Sequence, residues 1–134
     1  MYQTGPFLES KTVRPDIYWP LEETAIMDPQ EKIRELKAMA REEPDDELTW
    51  FMLGSELLAA GQYQAAAESL KRCLELAPGH TAAIRKLADS YRQMGDLDEA
   101  RHTYRAAIAK AEETGDLQVA KEARAFLKKL DKEI

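Results

Sequence analysis

Residues 50–79 read WFMLGSELLAAGQYQAAAESLKRCLELAPG, and the periodicity of this stretch sets the fold class. Trp50, Leu53, Leu57 and Ala60 step at three, four and three residues, which marks one face of a helix. Gly61 interrupts the pattern. Ala66, Leu70, Cys73 and Leu74 then mark the apolar face of a second helix. Pro78-Gly79 ends it, because neither residue continues a helix comfortably. The stretch is therefore a helical hairpin, and it recurs. A shift of 34 positions puts Trp50 on Ile84, Leu53 on Leu87, Gly54 on Ala88, Leu57 on Tyr91 and Gly61 on Gly95. It also puts Ala66 on Ala100, Leu70 on Tyr104 and Cys73 on Ala107, so small residues meet small ones and large apolar residues meet large ones. Backwards, Leu36 falls on Leu70, Met39 on Cys73 and Pro44 on Pro78.

The breaks between helices carry capping signals. Asp96 and Glu99 have the spacing of a capping box. Asp28-Pro29-Gln30-Glu31 opens an earlier helix, with Pro29 at the first helical position. Gly115-Asp116 closes one helix and opens the last. Six helices are predicted, over 29–43, 46–60, 62–76, 80–94, 96–113 and 116–132. The last has Leu117, Ala120, Ala123, Leu127, Leu130 and Ile134 along one side, with lysines and Arg124 elsewhere, which suits a solvated cap on an otherwise exposed apolar face.

Trp50-x-x-Leu53-Gly54, followed by Ala66, Leu70 and Pro78, resembles the tetratricopeptide repeat signature. In the second unit Ile84 replaces the tryptophan, Ala88 the glycine and Glu112 the proline. The resemblance is strong over residues 46–114 and extends to 29–45 as a preceding half-unit. The chain is also similar to small bacterial proteins of this family. The expected architecture is all-α: antiparallel helix hairpins stacked as a short solenoid with flanking helices. Its parts are an irregular N-terminal extension (1–28) and a helical domain (29–134). The domain comprises the half-unit 29–45, repeats 46–79 and 80–114, and a capping helix 116–132.

Composition narrows the function. The 134 residues are 44% hydrophobic and 33% charged, with a formal net charge of −6. That apolar share supports a core. The acidic balance disfavours nucleic acid, whose binding leans on Lys and Arg neutralising phosphates. The first residues, Met-Tyr-Gln-Thr-Gly-Pro, lack the basic and apolar regions of a secretory signal, and no run of about 20 apolar residues suggests a membrane helix. The expected location is cytoplasmic. Cys73 is the sole cysteine, so an intramolecular disulfide is excluded.

Candidate chemistry is sparse. His80 sits in the Pro78-Gly79 turn and His102 on a helix away from the Ala100/Tyr104 face, neither with ligand partners at metal-site spacing. Cys73 occupies the small slot that Ala107 fills in the second unit and reads as a buried structural thiol. The acidic run Glu42-Glu43-Pro44-Asp45-Asp46-Glu47 straddles a helix end, with Asp46 as the next cap. No phosphate loop or nucleophile elbow occurs. No metal, cofactor or catalytic residue is expected, and the chain reads as a non-enzyme.

The resemblance implies a concave groove lined by the first helix of each hairpin. Phe51, Ser55 and Leu58 form one stripe there, and Arg85, Asp89 and Arg92 the equivalent stripe of the second unit. The first is apolar, suited to a peptide side chain. The second is charged, suited to a carboxylate held by guanidinium groups. Phe51 and Leu58 also fit packing against helix 29–43, and Arg85, Asp89 and Arg92 also fit an ordinary i,i+4 charge row. Some family members hold a chaperone C-terminus with a Lys/Asn clamp. Phe51 and Ser55 stand at the corresponding positions, so the resemblance does not extend to that clamp.

Residues 1–28 contain Pro6, Pro15 and Pro20 together with the apolar clusters Phe7-Leu8 and Ile17-Tyr18-Trp19-Pro20-Leu21. Such a segment can wrap along its own domain, bind a partner or bridge to another copy. The reading that emerges is a protein–protein interaction adaptor binding a peptide or helix of a partner. The alternative is a self-associating homo-oligomeric scaffold. Neither reading involves nucleic acid or a membrane.

Overall fold

Among the described residues the pattern of capped, glycine-interrupted apolar stripes folds as helices only. The computed structural model describes residues 28–132, so the expectations for residues 1–27 and for Ile134 lie outside the described residues. By its contacts the chain divides into two units, Met1–Glu31 and Lys32–Ile134, and the packing below is internal to the second. Among the described residues six helices follow one another: α1 (Pro29–Glu42), α2 (Glu47–Ala59), α3 (Tyr63–Leu76), α4 (Thr81–Gln93), α5 (Leu97–Thr114) and α6 (Leu117–Lys132). The predicted helices are all present; their ends differ by one residue, mostly where a cap takes the expected first or last position, and α5 runs one residue further, to Thr114.

The caps explain those ends. Asp46 accepts from the Leu48 N–H at 3.0 Å and from the Thr49 hydroxyl at 3.0 Å, which starts α2. Asp96 accepts from the Glu99 N–H at the start of α5. His80 closes the Pro78-Gly79 turn, its N–H donating to the Ala77 carbonyl at 3.1 Å, and is also a cap: its Nδ1 accepts from the Ala83 N–H at 3.2 Å and starts α4. Gly61 and Gly95, at φ of 81° and 83°, close α2 and α4 in the same way. At each, the glycine N–H and the next N–H bond back to Leu58 and Leu57, or to Arg92 and Tyr91, so two orphan carbonyls are satisfied per helix end.

Successive helices pack as antiparallel hairpins and the hairpins stack. Ile33, Leu36, Leu53, Leu57 and Ala66 form one core cluster, joining α1, α2 and α3. Ala67, Leu70, Cys73, Ala83 and Leu87 join α3 to α4, with Trp50 and Phe51 packed against them. Ile84, Ala88, Ala100, Tyr104, Ala107, Ala123 and Leu130 join α4, α5 and α6. Trp50 bridges the first two clusters while its indole N–H donates to the Pro44 carbonyl at 2.8 Å, so one side chain fixes both the stack and the α1–α2 turn.

The closest approach is at Gly54. A methyl group there would lie 2.7 Å from Leu70 Cγ and 3.4 Å from the Ala66 carbonyl oxygen. The Leu70 side chain of α3 therefore sits directly on the α2 backbone, in the space a side chain at position 54 would need. On α6, Val119, Ala120, Ala123 and Leu130 are buried, whereas Leu117 is 74% exposed. The expected stripe thus begins later than its periodicity suggests, because the first helical position projects away from α5.

Candidate functional site

The six residues expected to line a groove sit on α2 and α4, which lie against each other. Their environments differ. Phe51 and Ser55 line an open cleft of about 430 Å³ between α1 and α2, together with Lys32, Glu35, Leu36, Met39, Met52 and Glu56. Met39 is 46% and Met52 41% exposed at its mouth, while Leu36 forms a buried floor. The Ser55 hydroxyl is shielded and has no hydrogen-bond partner among the described residues. Leu58 does not line the cleft and packs on the Ile33/Leu36/Leu53/Leu57 cluster. Phe51 spans both settings, because its ring also lies 4.5 Å from the His80 ring and carries the Lys86 ammonium 6.0 Å from its centre.

Asp89 is buried, and Arg85 donates to it at 2.8 Å. Tyr104 donates its hydroxyl proton to the other carboxylate oxygen in a short bond. Arg92 donates to that hydroxyl at 3.1 Å and lies 3.8 Å from Asp89. Helix α6 closes the assembly: Glu122 pairs with Arg85 at 3.3 Å, and the Phe126 ring stacks on Tyr104 with the Arg92 guanidinium 4.7 Å from its centre. Two guanidinium groups thus already share one buried carboxylate. Burial and the bond to Asp89 push the Tyr104 phenol above its usual range. Sequence spacing does not mark Tyr104, Glu122 and Phe126 as partners of the Arg85 stripe. Glu122 and Phe126 stand one helical turn apart on α6, a spacing visible in the sequence, but nothing there identifies what they face.

Cys73 is fully buried, and its thiol is pushed up to about 11, first by burial and then by the negative charge of Glu47. A thiol pKa raised by folding contributes stability that is complete below about pH 9 and is lost as pH rises toward 11. Thermal melts of the wild type are expected to hold level to about pH 8.5 and then fall, and a Cys73→Ala variant to fall less over that window. Tyr104, shifted the same way, accounts for the remaining decline. Equal alkaline losses in the two proteins would remove Cys73 from the explanation. Among the described residues no three His, Cys, Asp or Glu side chains are grouped to hold a metal. No helix there is long and apolar enough to cross a membrane.

A family model described as tetratricopeptide repeat matches residues 57–124, half of the chain. The TPR repeat-containing protein PA0015 of Pseudomonas aeruginosa is 38% identical over 100 residues, covering 75% of this chain and 95% of that protein. The chain belongs to the tetratricopeptide repeat family. Protein BPP2914 from Bordetella parapertussis, known from a solution structure, is 32% identical with a TM-score of 0.69, over 75% of this chain and 88% of its own. The TPR2B domain of yeast Sti1, solved in complex with pHsp70, has a TM-score of 0.76 at 18% identity, over 85% of this chain and 91% of that one, and so shares the fold.

Proposed function

We propose that this tetratricopeptide protein is a non-catalytic interaction module that binds a peptide or helix of a partner protein on the face of α2 and α4, anchored in the α1/α2 cleft. The observation that carries the reading is the cleft itself, where exposed Met39 and Met52 flank half-buried Phe51 over an apolar floor. Methionine side chains are flexible and polarisable, so they adapt to partner side chains of varied shape. The yeast Sti1 domain of the same fold is solved with pHsp70, which supports a stack of this size as a partner-binding platform. Arg85, Asp89 and Arg92 form the polar flank of the groove. Their guanidinium groups are engaged with Asp89, so they steer a partner rather than clamp a free carboxylate.

The test is affinity capture from lysate with the wild type beside a Met39→Lys/Met52→Lys variant. Both side chains are exposed, so the variant's thermal stability is expected to stay within about 0.5 kcal/mol of wild type. Loss of the captured partner with the fold intact is the expected result. Identical captures with both proteins would place the binding elsewhere and defeat the reading. Charge reversal at Arg85 and Arg92 is a poorer probe, because it would surround buried Asp89 with like charge and unsettle the fold.

A second reading, self-association into a homo-oligomer, draws on Leu48, Met39 and Met52, which are large, apolar and exposed on neighbouring turns of α1 and α2. Light scattering at high concentration separates the two readings, since a strictly monomeric chain removes the second.

A further inference from the structure

The 34-residue register gives the α1/α2 cleft a counterpart inside the protein. Its lining residues Lys32, Glu35, Leu36 and Met39 correspond to Ala66, Ser69, Leu70 and Cys73 of α3, all of which are buried. Phe51, Met52, Ser55 and Glu56 correspond to Arg85, Lys86, Asp89 and Ser90 of α4, of which Asp89 and Ser90 are buried. What covers that second surface is α2. Gly54 lies against Leu70 and Ala66, and Phe51 lies under Lys86 and against His80. Among the described residues no helix covers the equivalent surface one repeat earlier, and there Met39, Met52 and Glu35 stand exposed. The cleft therefore has the position of a seat for the first helix of an incomplete repeat. The unpartnered Ser55 hydroxyl occupies the position at which Asp89 is fully engaged one repeat later.

Building on the adaptor reading, we propose that a partner's amphipathic helix fills this seat and completes the first hairpin. Helix α2 fills the corresponding place with 13 residues, so the occupant is a helix of about that length. It presents a small residue toward Leu36, as Gly54 does toward Leu70, with apolar residues one turn to either side against Met39, Phe51 and Met52. The rim holds Glu35 and Glu56 against one cation, Lys32, and the α1–α2 turn adds Glu42, Glu43, Asp45 and Asp46. The helix is therefore basic on its polar positions, which favours encounter and register. The chain's own sequence at the matching register, residues 13–25, carries Pro15 and Pro20, and a proline in a helix interior removes a backbone bond and clashes with the preceding turn. A continuous helix is more readily supplied by a partner.

The probe is a hydrocarbon-stapled helical peptide with the sequence of residues 47–59, in which Glu47→Lys and Glu56→Lys make it basic. The full-length chain is titrated with it and followed by amide chemical shifts. The expected result is saturable binding with shifts at Leu36, Met39, Met52 and Ser55. Binding should weaken roughly tenfold for the same peptide with its native glutamates, because like charges meet at the rim. A Leu53→Pro version of the peptide should not bind. On the protein side, Glu35→Lys/Glu56→Lys should reverse the preference between the two peptides while leaving the melting curve unchanged. Equal binding of the proline peptide would overturn the helical seat but leave a groove for extended segments, and so spare the adaptor reading. No binding by the basic helix, or binding that appears only after residues 1–27 are removed, would overturn the proposal. So would a dimer in light scattering that the Met39→Lys/Met52→Lys variant dissolves, which would assign the seat to a second copy.

Discussion

Asp89→Ala is expected to destabilise the protein by about 3 kcal/mol, because it removes the buried carboxylate that two guanidinium groups share, leaving Arg85 with Glu122 alone and Arg92 without its carboxylate. Arg85 and Arg92 are each partly solvated, with side chains 17% and 28% exposed, which keeps the effect at the lower end for a broken buried pair. The Tyr104 hydroxyl loses its acceptor at the same time, and Tyr104 is fully buried. For a domain of this size the loss corresponds to a fall in melting temperature of about 10–15 °C. Asp89→Asn keeps a carbonyl oxygen for Tyr104 and removes only the charge, so about half the loss is expected. Tyr104→Phe combined with Asp89→Asn should be clearly non-additive, because the two share one hydrogen bond. Thermal and urea unfolding measure all three. An Asp89→Ala protein within about 0.5 kcal/mol of wild type would mean that this row behaves as solvated surface charge.

Gly54→Ala should destabilise although it replaces glycine by the best helix former. In an open helix the exchange gains about 1 kcal/mol. Here the new methyl group meets Leu70 at 2.7 and 2.8 Å, and Leu70 is itself fully buried with nowhere to retreat. Overpacking of this kind costs about 1–3 kcal/mol, which outweighs the propensity gain. Gly54→Leu should prevent the α2–α3 hairpin from closing. Leu70→Ala, destabilising alone by about 2–5 kcal/mol, should make Gly54→Ala nearly harmless in its background. Ala88, at the same place in the next repeat, already carries its methyl group within the Tyr104 cluster, so Ala88→Gly should lose about 1 kcal/mol or more. If Gly54→Ala melts higher than wild type, α2 and α3 have room to separate at this point.

Much of the fold is legible in the amino-acid sequence. Hairpin order, helix number and the caps at Asp46 and Asp96 all follow from interactions within a few residues, which sequence spacing encodes directly. So does the burial of Cys73, because the repeat register places it where a small residue must sit. The sequence places His80 in a turn but does not reveal its capping role, which depends on backbone angles at one position that composition does not fix. The inner face is legible as two stripes but not in its wiring. Whether Arg85 and Arg92 await a ligand or serve Asp89 depends on Tyr104, Glu122 and Phe126, which lie 12 or more positions away in sequence.

The tetratricopeptide architecture is written in the 34-residue period and in the glycines that end α2 and α4, because helices and their caps are local objects. Which of the two stripes lies beside an open cleft depends on packing between helices. The α1/α2 cleft and the engaged Asp89 row arise from the same repeat position. They differ because α2 covers the α3/α4 surface, and α5 and α6 supply Asp89 and its arginines with a hydroxyl, a carboxylate and an aromatic ring, while among the described residues no helix covers the α1/α2 cleft. Charge balance at a buried site is set by whatever the stack brings within about 4 Å, and that distance is not written in the spacing of any one helix.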